Sequence, residues 1–254
     1  MTIYVMGDMH GDFAPIYTVL SYMDFKKEDI LCLLGDSGFN YDVHPNEKGY
    51  IDTRKSLYIK KSLNDGLYRC LGFLPNILII HGNHEARAKM VAGYEKKRWN
   101  GGSVYVQPKF PNLLFAKDGE LYTIENHTFL VCGGAYSIDK EQRIHSDGHW
   151  FRDEQPNPQI QQQVLRHIHS HVDYVLTHTV PLKYIPTERL LNEFNQKNVD
   201  QSTEIFLDTI ESCLDYTHWY AGHFHCDKKV NDKFDILYHS IERVGEKDEI
   251  SFSK

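Results

Sequence analysis

The chain has 254 residues, of which 41% are hydrophobic and 25% charged, and its formal net charge is −7. This composition is ordinary for a soluble globular protein, and no apolar run reaches the length that spans a bilayer. The acidic balance, with Lys96-Lys97-Arg98 as the densest basic run, argues against nonspecific binding of duplex nucleic acid.

In chain order, Ile3 to Met6 reads as a buried strand, and Pro15 opens a helix with Ile16, Val19, Leu20 and Met23 on one face. A second apolar run, Ile30 to Leu34, predicts a strand, followed by a helix from about Thr53 to Phe73 with Leu57, Lys60, Leu63 and Leu67 roughly aligned. Ile77 to Ile80 is the next strand. The middle of the chain then changes character. Leu113 to Phe115, Leu121 to Ile124 and Thr128 to Cys132 read as strands, and the intervening Asp118-Gly119 and Glu125-Asn126 read as hairpin turns. Gln159 to His169 predicts a helix, Val172 to Leu176 a strand, Thr203 to Leu214 a helix with Ser202 as N-cap, and Trp219 to Ala221 a strand. The tail from Phe234 to Phe252 suggests further short strands. Strands alternating with helices predict an α/β layered fold with mixed sheets. No linker interrupts the pattern, so the expectation is a single domain over residues 1–254.

Five short polar blocks stand at strand ends: Asp8-Met9-His10, Gly35-Asp36, Gly82-Asn83-His84-Glu85, Thr177-His178 and Gly222-His223-Phe224-His225. Asp8 and His10 are two apart, as are His223 and His225, so each pair points the same way where a strand runs out into a loop. Ligands of open α/β sheets gather beyond the carboxyl ends of strands. His178 competes with His167, His169, His171 and His218, and is chosen for its place at a strand end; His81 is expected to face away. Oxygen and imidazole donors without thiolate suit manganese, iron, zinc, cobalt or nickel, with manganese taken first.

In this order the blocks resemble the calcineurin-like metallophosphoesterase superfamily, whose pattern is D-x-H, G-D, G-N-H-D/E, H and G-H-x-H. The resemblance extends from residue 8 to residue 225 and implies the α/β/β/α metallophosphoesterase fold. It also implies two divalent metal ions. Asp8, His10, Asp36 and His225 would hold one, and Asp36, Asn83, His178 and His223 the other, with Asp36 bridging. Two cations about 3.5–4 Å apart generate a hydroxide for in-line attack and clamp the phosphoryl oxygens. His84, adjacent to a ligand, would be the general acid that protonates the leaving group.

The opening Gly7-Asp8-Met9-His10-Gly11-Asp12-Phe13 is similar to that of protein serine/threonine phosphatases. Those enzymes place an Asp three residues after the bridging carboxylate, followed by Arg-Gly; here Ser37-Gly38-Phe39-Asn40 follow Asp36. Asp42 and Glu85 therefore remain candidates to orient His84. Gly133 to Asp139, ending at Arg143, and Trp99-Asn100-Gly101-Gly102 resemble segments of RNA lariat debranching enzymes, which cut a phosphodiester and carry Cys where this chain has His10. The loop 136–156, with Tyr136, Arg143, His145, His149, Trp150 and Arg152, is expected to border the metals. Arg143 is its substrate-binding candidate, and Arg87 is a second, since a planar guanidinium suits phosphate; Tyr41 and His44 are weaker ones.

The expected activity is hydrolysis of a phosphomonoester, a phosphoprotein among the candidates. A phosphodiesterase acting on nucleotides or nucleic acid is the alternative, and a metal-free binding module is a third reading that the full ligand set opposes. No signal peptide is visible, and the five cysteines are odd in number and three lie in apolar runs, so a cytoplasmic protein with free thiols is expected. The expected partner is a phosphorylated substrate, with no membrane; the sequence does not predict an oligomeric state.

Overall fold

The computed structural model describes residues 1–145, 149–189 and 199–245. Strand β1 (Ile3–Met6) is buried throughout, and helix α1 (Ala14–Tyr22) carries its proline in the first turn. β2 (Ile30–Leu33) is again wholly buried. A small hairpin, β3 (Val43–Asn46) and β4 (Gly49–Asp52), leads into helix α2 (Arg54–Leu71). Thr53 caps α2 by accepting the Ser56 N–H, and Gly72 ends it in the left-handed conformation. Then come β5 (Asn76–Ile79), β6 (Glu95–Trp99), β7 (Gly102–Gln107), β8 (Phe110–Ala116), β9 (Leu121–Ile124) and β10 (His127–Cys132). Helices α3 (Lys140–His145) and α4 (Pro158–Leu165) precede β11 (His171–Thr177). Helix α5 (Ser202–Cys213), β12 (Asp215–Ala221), β13 (Lys228–Asn231), β14 (Phe234–Ile236) and β15 (Ile241–Arg243) complete the described chain.

The strands form two large sheets. One has the order β15-β1-β2-β5-β8-β7-β6, the other β13-β14-β12-β11-β10-β9. The centre of the first, β1-β2-β5-β8, is parallel, and so is the centre of the second, β14-β12-β11-β10. Parallel strands covered on both faces need continuous apolar runs, which is what Ile30–Leu33 and its counterparts supply. The inner faces meet in a core where Val5, Cys32, Leu78 and Ile80 face Phe129, Val131, Leu176 and Tyr220. Helices α1 and α2 cover the outer face of the first sheet, and α4 and α5 that of the second. This is the α/β/β/α layering the sequence predicts. All five cysteines are free, and no helix among the described residues is long and apolar enough to cross a membrane.

Several sequence expectations change. Glu125-Asn126 is a hairpin turn, with both φ angles positive at 50° and 64°, as a two-residue turn between twisted strands requires. Asp118-Gly119 is not one: β8 belongs to the first sheet and β9 to the second, so this turn carries the chain across the sandwich. The helix expected over 159–169 ends at Leu165. Beyond it His167 N–H bonds Val164 O and Ser170 N–H bonds His167 O, a tighter winding. Ser202 does not cap α5; the Asp200 carboxylate accepts its N–H at 2.9 Å instead. The expected tail strands appear as β14 and β15, and the part after residue 245 lies outside the described residues.

Lys60, which the helical period aligns with leucines, is fully buried. Its Nζ donates to Asp52 Oδ1 at 2.8 Å and to Gln107 Oε1 at 3.1 Å. Removing one partner of a buried ion pair strands the other. Lys60→Met is therefore expected to cost about 3–5 kcal/mol in urea denaturation, against about 0–1 kcal/mol for an exposed pair. A loss in the exposed range would show that Asp52 is satisfied by its other donors, Ser56 and Gln107.

Candidate metal centre

Five parallel strand ends, those of β1, β2, β5, β11 and β12, converge on one point. Asp8 is almost wholly buried; its Oδ2 accepts the His223 N–H at 2.8 Å and lies 3.6 Å from His225 Nε2. His10 Nε2 stands 3.0 Å from His225 Nε2 and 3.8 Å from Asp36 Oδ2. Asp36 Oδ2 is in turn 3.5 Å from His178 Nε2, and His178 Nε2 is 2.8 Å from Asn83 Oδ1. The ring of His223 packs edge-on against His178, centroids 5.0 Å apart. All seven residues expected as ligands thus come together around Asp36. Of seven non-glycine residues with positive φ among the described residues, four are His10, Asp36, His223 and His225. Left-handed backbone costs roughly 1–3 kcal/mol at such residues, so strain is concentrated where the donors are aimed.

The small residues of the blocks have a steric reason. A Cβ on Gly82 would collide with Asp36 Oδ1 and its backbone N, and one on Gly35 would collide with the His178 ring. Glycine lets three strand ends close on one another here.

Four of the seven are held from behind. His178 Nδ1 is 2.7 Å from the Leu34 carbonyl, which fixes the proton there and leaves Nε2 as the donor atom. Asn83 Nδ2 donates to Ser137 Oγ at 2.9 Å, and Ser137 Oγ donates to Glu154 Oε2 at 2.6 Å. His225 stacks on Tyr238, centroids 4.7 Å apart at 10°. The Asp36 Oδ1 atom accepts the His84 N–H at 2.8 Å. Sequence reasoning did not single out Glu154 or Tyr238. A role as buttress leaves no spacing signal, because both come from distant segments.

The donor set fits divalent cations. Asp8 Oδ1 is buried and has no hydrogen-bond partner. Burial pushes the Asp8 carboxyl up to about 8. Burial opposes ionisation of Asp36 as well, but the His178 imidazole outweighs it and holds that carboxyl well below the usual range. Burial also works against a charge on His178, yet Asp36 and Asp8 raise it to about 9. Without a cation, then, the centre needs protons on Asp8 and His178 to hold its charges together. A metal replaces protons in such a site, because carboxylate and imidazole ligands bind deprotonated.

His84 borders the centre. Its ring is 5.2 Å from that of His10, and the Arg143 guanidinium lies directly against it. Arg143 is mostly buried and is held by Asp139, Nε to Oδ2 at 2.7 Å, and by Tyr41, whose ring centre is 5.8 Å from Cζ. Neither carboxylate considered for orienting His84 contacts it. Glu85 accepts Ser37 Oγ–H at 2.6 Å and Gly82 N–H at 3.1 Å; Asp42 lies 3.8 Å from His149 and 3.9 Å from Lys55.

Arg87 departs from the sequence expectation. Its guanidinium is buried against Asp118 and donates to the Asp153 carbonyl at 2.8 Å, so its charge is already neutralised within the fold. The reason is the Asp118-Gly119 crossing, which brings a carboxylate to the interior side of this arginine. Three of the four histidines considered in place of His178 have other partners: His167 faces Gly119 O, His171 faces Asp215, and His218 faces Asp235.

Comparison with known proteins agrees with this geometry. The family model for calcineurin-like phosphoesterases matches residues 1–227. No curated protein matches the chain. Among solved structures, the phosphopantetheinyl hydrolase of Mycobacterium tuberculosis is similar at 17% identity, covering 94% of this chain and 90% of that one, with a TM-score of 0.42. A second solved structure is 12% identical over 96% of this chain and 95% of its own, with a TM-score of 0.51, a likeness of fold. With the family model spanning all five blocks and the donors gathered at one point, the chain belongs to the calcineurin-like phosphoesterases and is a metal-dependent phosphoric ester hydrolase.

Proposed function

We propose that the chain hydrolyses phosphomonoesters at a two-metal centre. Asp8, His10, Asp36 and His225 would hold one ion, and Asp36, Asn83, His178 and His223 the other. When bound, such a pair supplies Lewis acidity to the phosphoryl oxygens and lowers the pKa of water. The observation that carries the monoester reading is Arg143, a further cation against His84 at the edge of the centre. A terminal phosphate dianion has one more negative charge to place than a diester, and a guanidinium binds two of its oxygens in one plane.

His84 is suited to meet the leaving oxygen. Burial, reinforced by Arg143, holds its pKa at about 4, so the ring is neutral at pH 7 before substrate arrives. A phosphate dianion on Arg143 would offset the neighbouring positive charge and so favour the protonated imidazole, with burial still opposing it. Beside these residues a cavity of about 320 Å³ is lined by Tyr41, Lys55 and Ile59, room for a leaving group with an apolar part. The substrate is accordingly a phosphorylated small molecule or a phosphorylated side chain.

Manganese-loaded protein assayed on p-nitrophenyl phosphate, bis-p-nitrophenyl phosphate and phosphopeptides tests this. The monoesters are expected to be preferred in kcat/KM by tenfold or more. Arg143→Ala is expected to lower kcat/KM on monoesters by roughly ten- to a hundredfold, the worth of a charge-assisted hydrogen bond at about 1.5–3 kcal/mol. Arg143→Lys should recover only part, because it lacks the planar fork. A preference for the diester, with Arg143→Ala unchanged on monoesters, would overturn the reading in favour of a phosphodiesterase.

A further inference from the structure

Away from the metal centre, three donors meet at one edge of the sandwich. His218 on β12, Asp235 on β14 and Glu242 on β15 each present a ligand atom, all within 4.8 Å of one another. The registers explain why. Tyr220 stands opposite Asp235 in a parallel pair, and Val5 opposite Glu242 in an antiparallel one. Tyr220 and Val5 both belong to the core between the sheets. Paired residues share a face, so Asp235 and Glu242 enter the same gap from opposite sheets. His218 precedes Tyr220 by two residues and shares its face. None of the three belongs to the donor set assigned above.

The side chains of His218 and Asp235 are 18% and 8% exposed, and Glu242 is half-buried, so the cluster is screened from bulk water yet open to an ion at the sheet edge. Behind it the Tyr220 ring lies 4.5 Å from that of His218 and stacks in turn on Tyr174. Two carboxylates this close repel when both are ionised. Burial first, then Glu242, Tyr174 and Asp235, push the Tyr220 phenol up, so this corner carries negative charge. His218 Nε2 and Asp235 Oδ2 are joined by one proton across 2.6 Å. A divalent cation would take the place of that proton, because imidazole and carboxylate ligands bind deprotonated.

We propose that His218, Asp235 and Glu242 form a further cation site, for zinc, which ties the edge strand β15 of the first sheet to β12 and β14 of the second. Zinc takes imidazole and carboxylate donors at about 2.0–2.2 Å and completes its shell with water, and a tetrahedral shell of that size spaces donors roughly 3.3 Å apart. That spacing lies between the 2.6 Å of the His218–Asp235 pair and the 4.8 Å that bounds the cluster.

Zinc itself is the probe, and the whole metal-loaded protein is the sample. After equilibrium dialysis against micromolar zinc, the wild type is expected to hold one zinc per chain more than Glu242→Gln or His218→Gln. The expectation is a difference, so it holds whatever number of ions the catalytic centre takes. In the Asp36→Asn background, which acts on that centre, the total should fall while the loss caused by Glu242→Gln stays at one. Zinc should also shift the ring carbon signals of His218, identified by their loss in His218→Gln, whereas calcium, which takes oxygen ligands, should not. At roughly a hundred times the dissociation constant, zinc should raise the Tm of the wild type by about 5 °C or more beyond its effect on Glu242→Gln. Glu242→Gln is nearly isosteric at a half-buried position, so the fold is expected to tolerate it. Equal zinc on the wild type and Glu242→Gln, or His218 signals that zinc leaves in place, would overturn the proposal and make the cluster a hydrogen-bonded pair beside a carboxylate.

Discussion

Asp36→Asn is expected to leave no more than one divalent cation on each chain and to abolish turnover, while the fold persists. Asp36 Oδ2 stands 3.8 Å from His10 and 3.5 Å from His178, so both halves of the donor set lean on one oxygen. Its other oxygen accepts the His84 N–H at 2.8 Å, a bond an asparagine carbonyl can keep. Structure should therefore survive where metal does not. Losing a partner that merely orients a ligand costs about 10–100-fold in metal affinity, so loss of the ligand that the two proposed sites would share should exceed that. Elemental analysis after dialysis checks the count. Two tightly held ions per variant chain would remove Asp36 from the bridging position.

For His84→Ala the expected loss is about 10²–10⁴-fold in kcat on an alkyl phosphate, with metal content intact. On p-nitrophenyl phosphate, whose leaving group needs no proton, the loss should be much smaller. The contrast separates two roles that the geometry alone joins, because Arg143 lies against the ring and would shift when it is removed. Equal losses on both substrates would mean that His84 positions Arg143 and the phosphate and delivers no proton.

The two variants also probe different layers of the site. Asp36 ends a strand buried on both faces, and its neighbour Gly82 leaves no room for another arrangement. His84 and Arg143 are 59 residues apart and meet only because the loop after β10 returns over the centre. Ser137 and Glu154 come from the same loop and steady Asn83. In the proposed centre this loop would be both a support for Asn83 and the source of the cation that faces the substrate. Changes there are expected to alter substrate preference and metal affinity together.

What the sequence by itself determined was the strands and the donors at their ends. Ile30 to Leu34 and Ile77 to Ile80 read as buried strands, since an apolar run of that length has no polar face to give to water, and the structure makes them parallel neighbours. The donors follow such runs directly, so their convergence is read from local order: a strand end delivers whatever residue comes next. The same locality made the helical start at Pro15 and the hairpin at Glu125-Asn126 legible. Partner choice between distant segments was decided only in three dimensions. Arg87 and Arg143 are chemically alike in the sequence, yet one meets Asp118 in the interior and the other meets His84 at the centre. Asp118-Gly119 has the residues of a hairpin turn, yet it crosses between sheets, because β9 pairs with β10 and β8 with β5 and β7. Local sequence sets a turn's dihedral angles, but which strands it joins depends on the burial that the whole sandwich makes available.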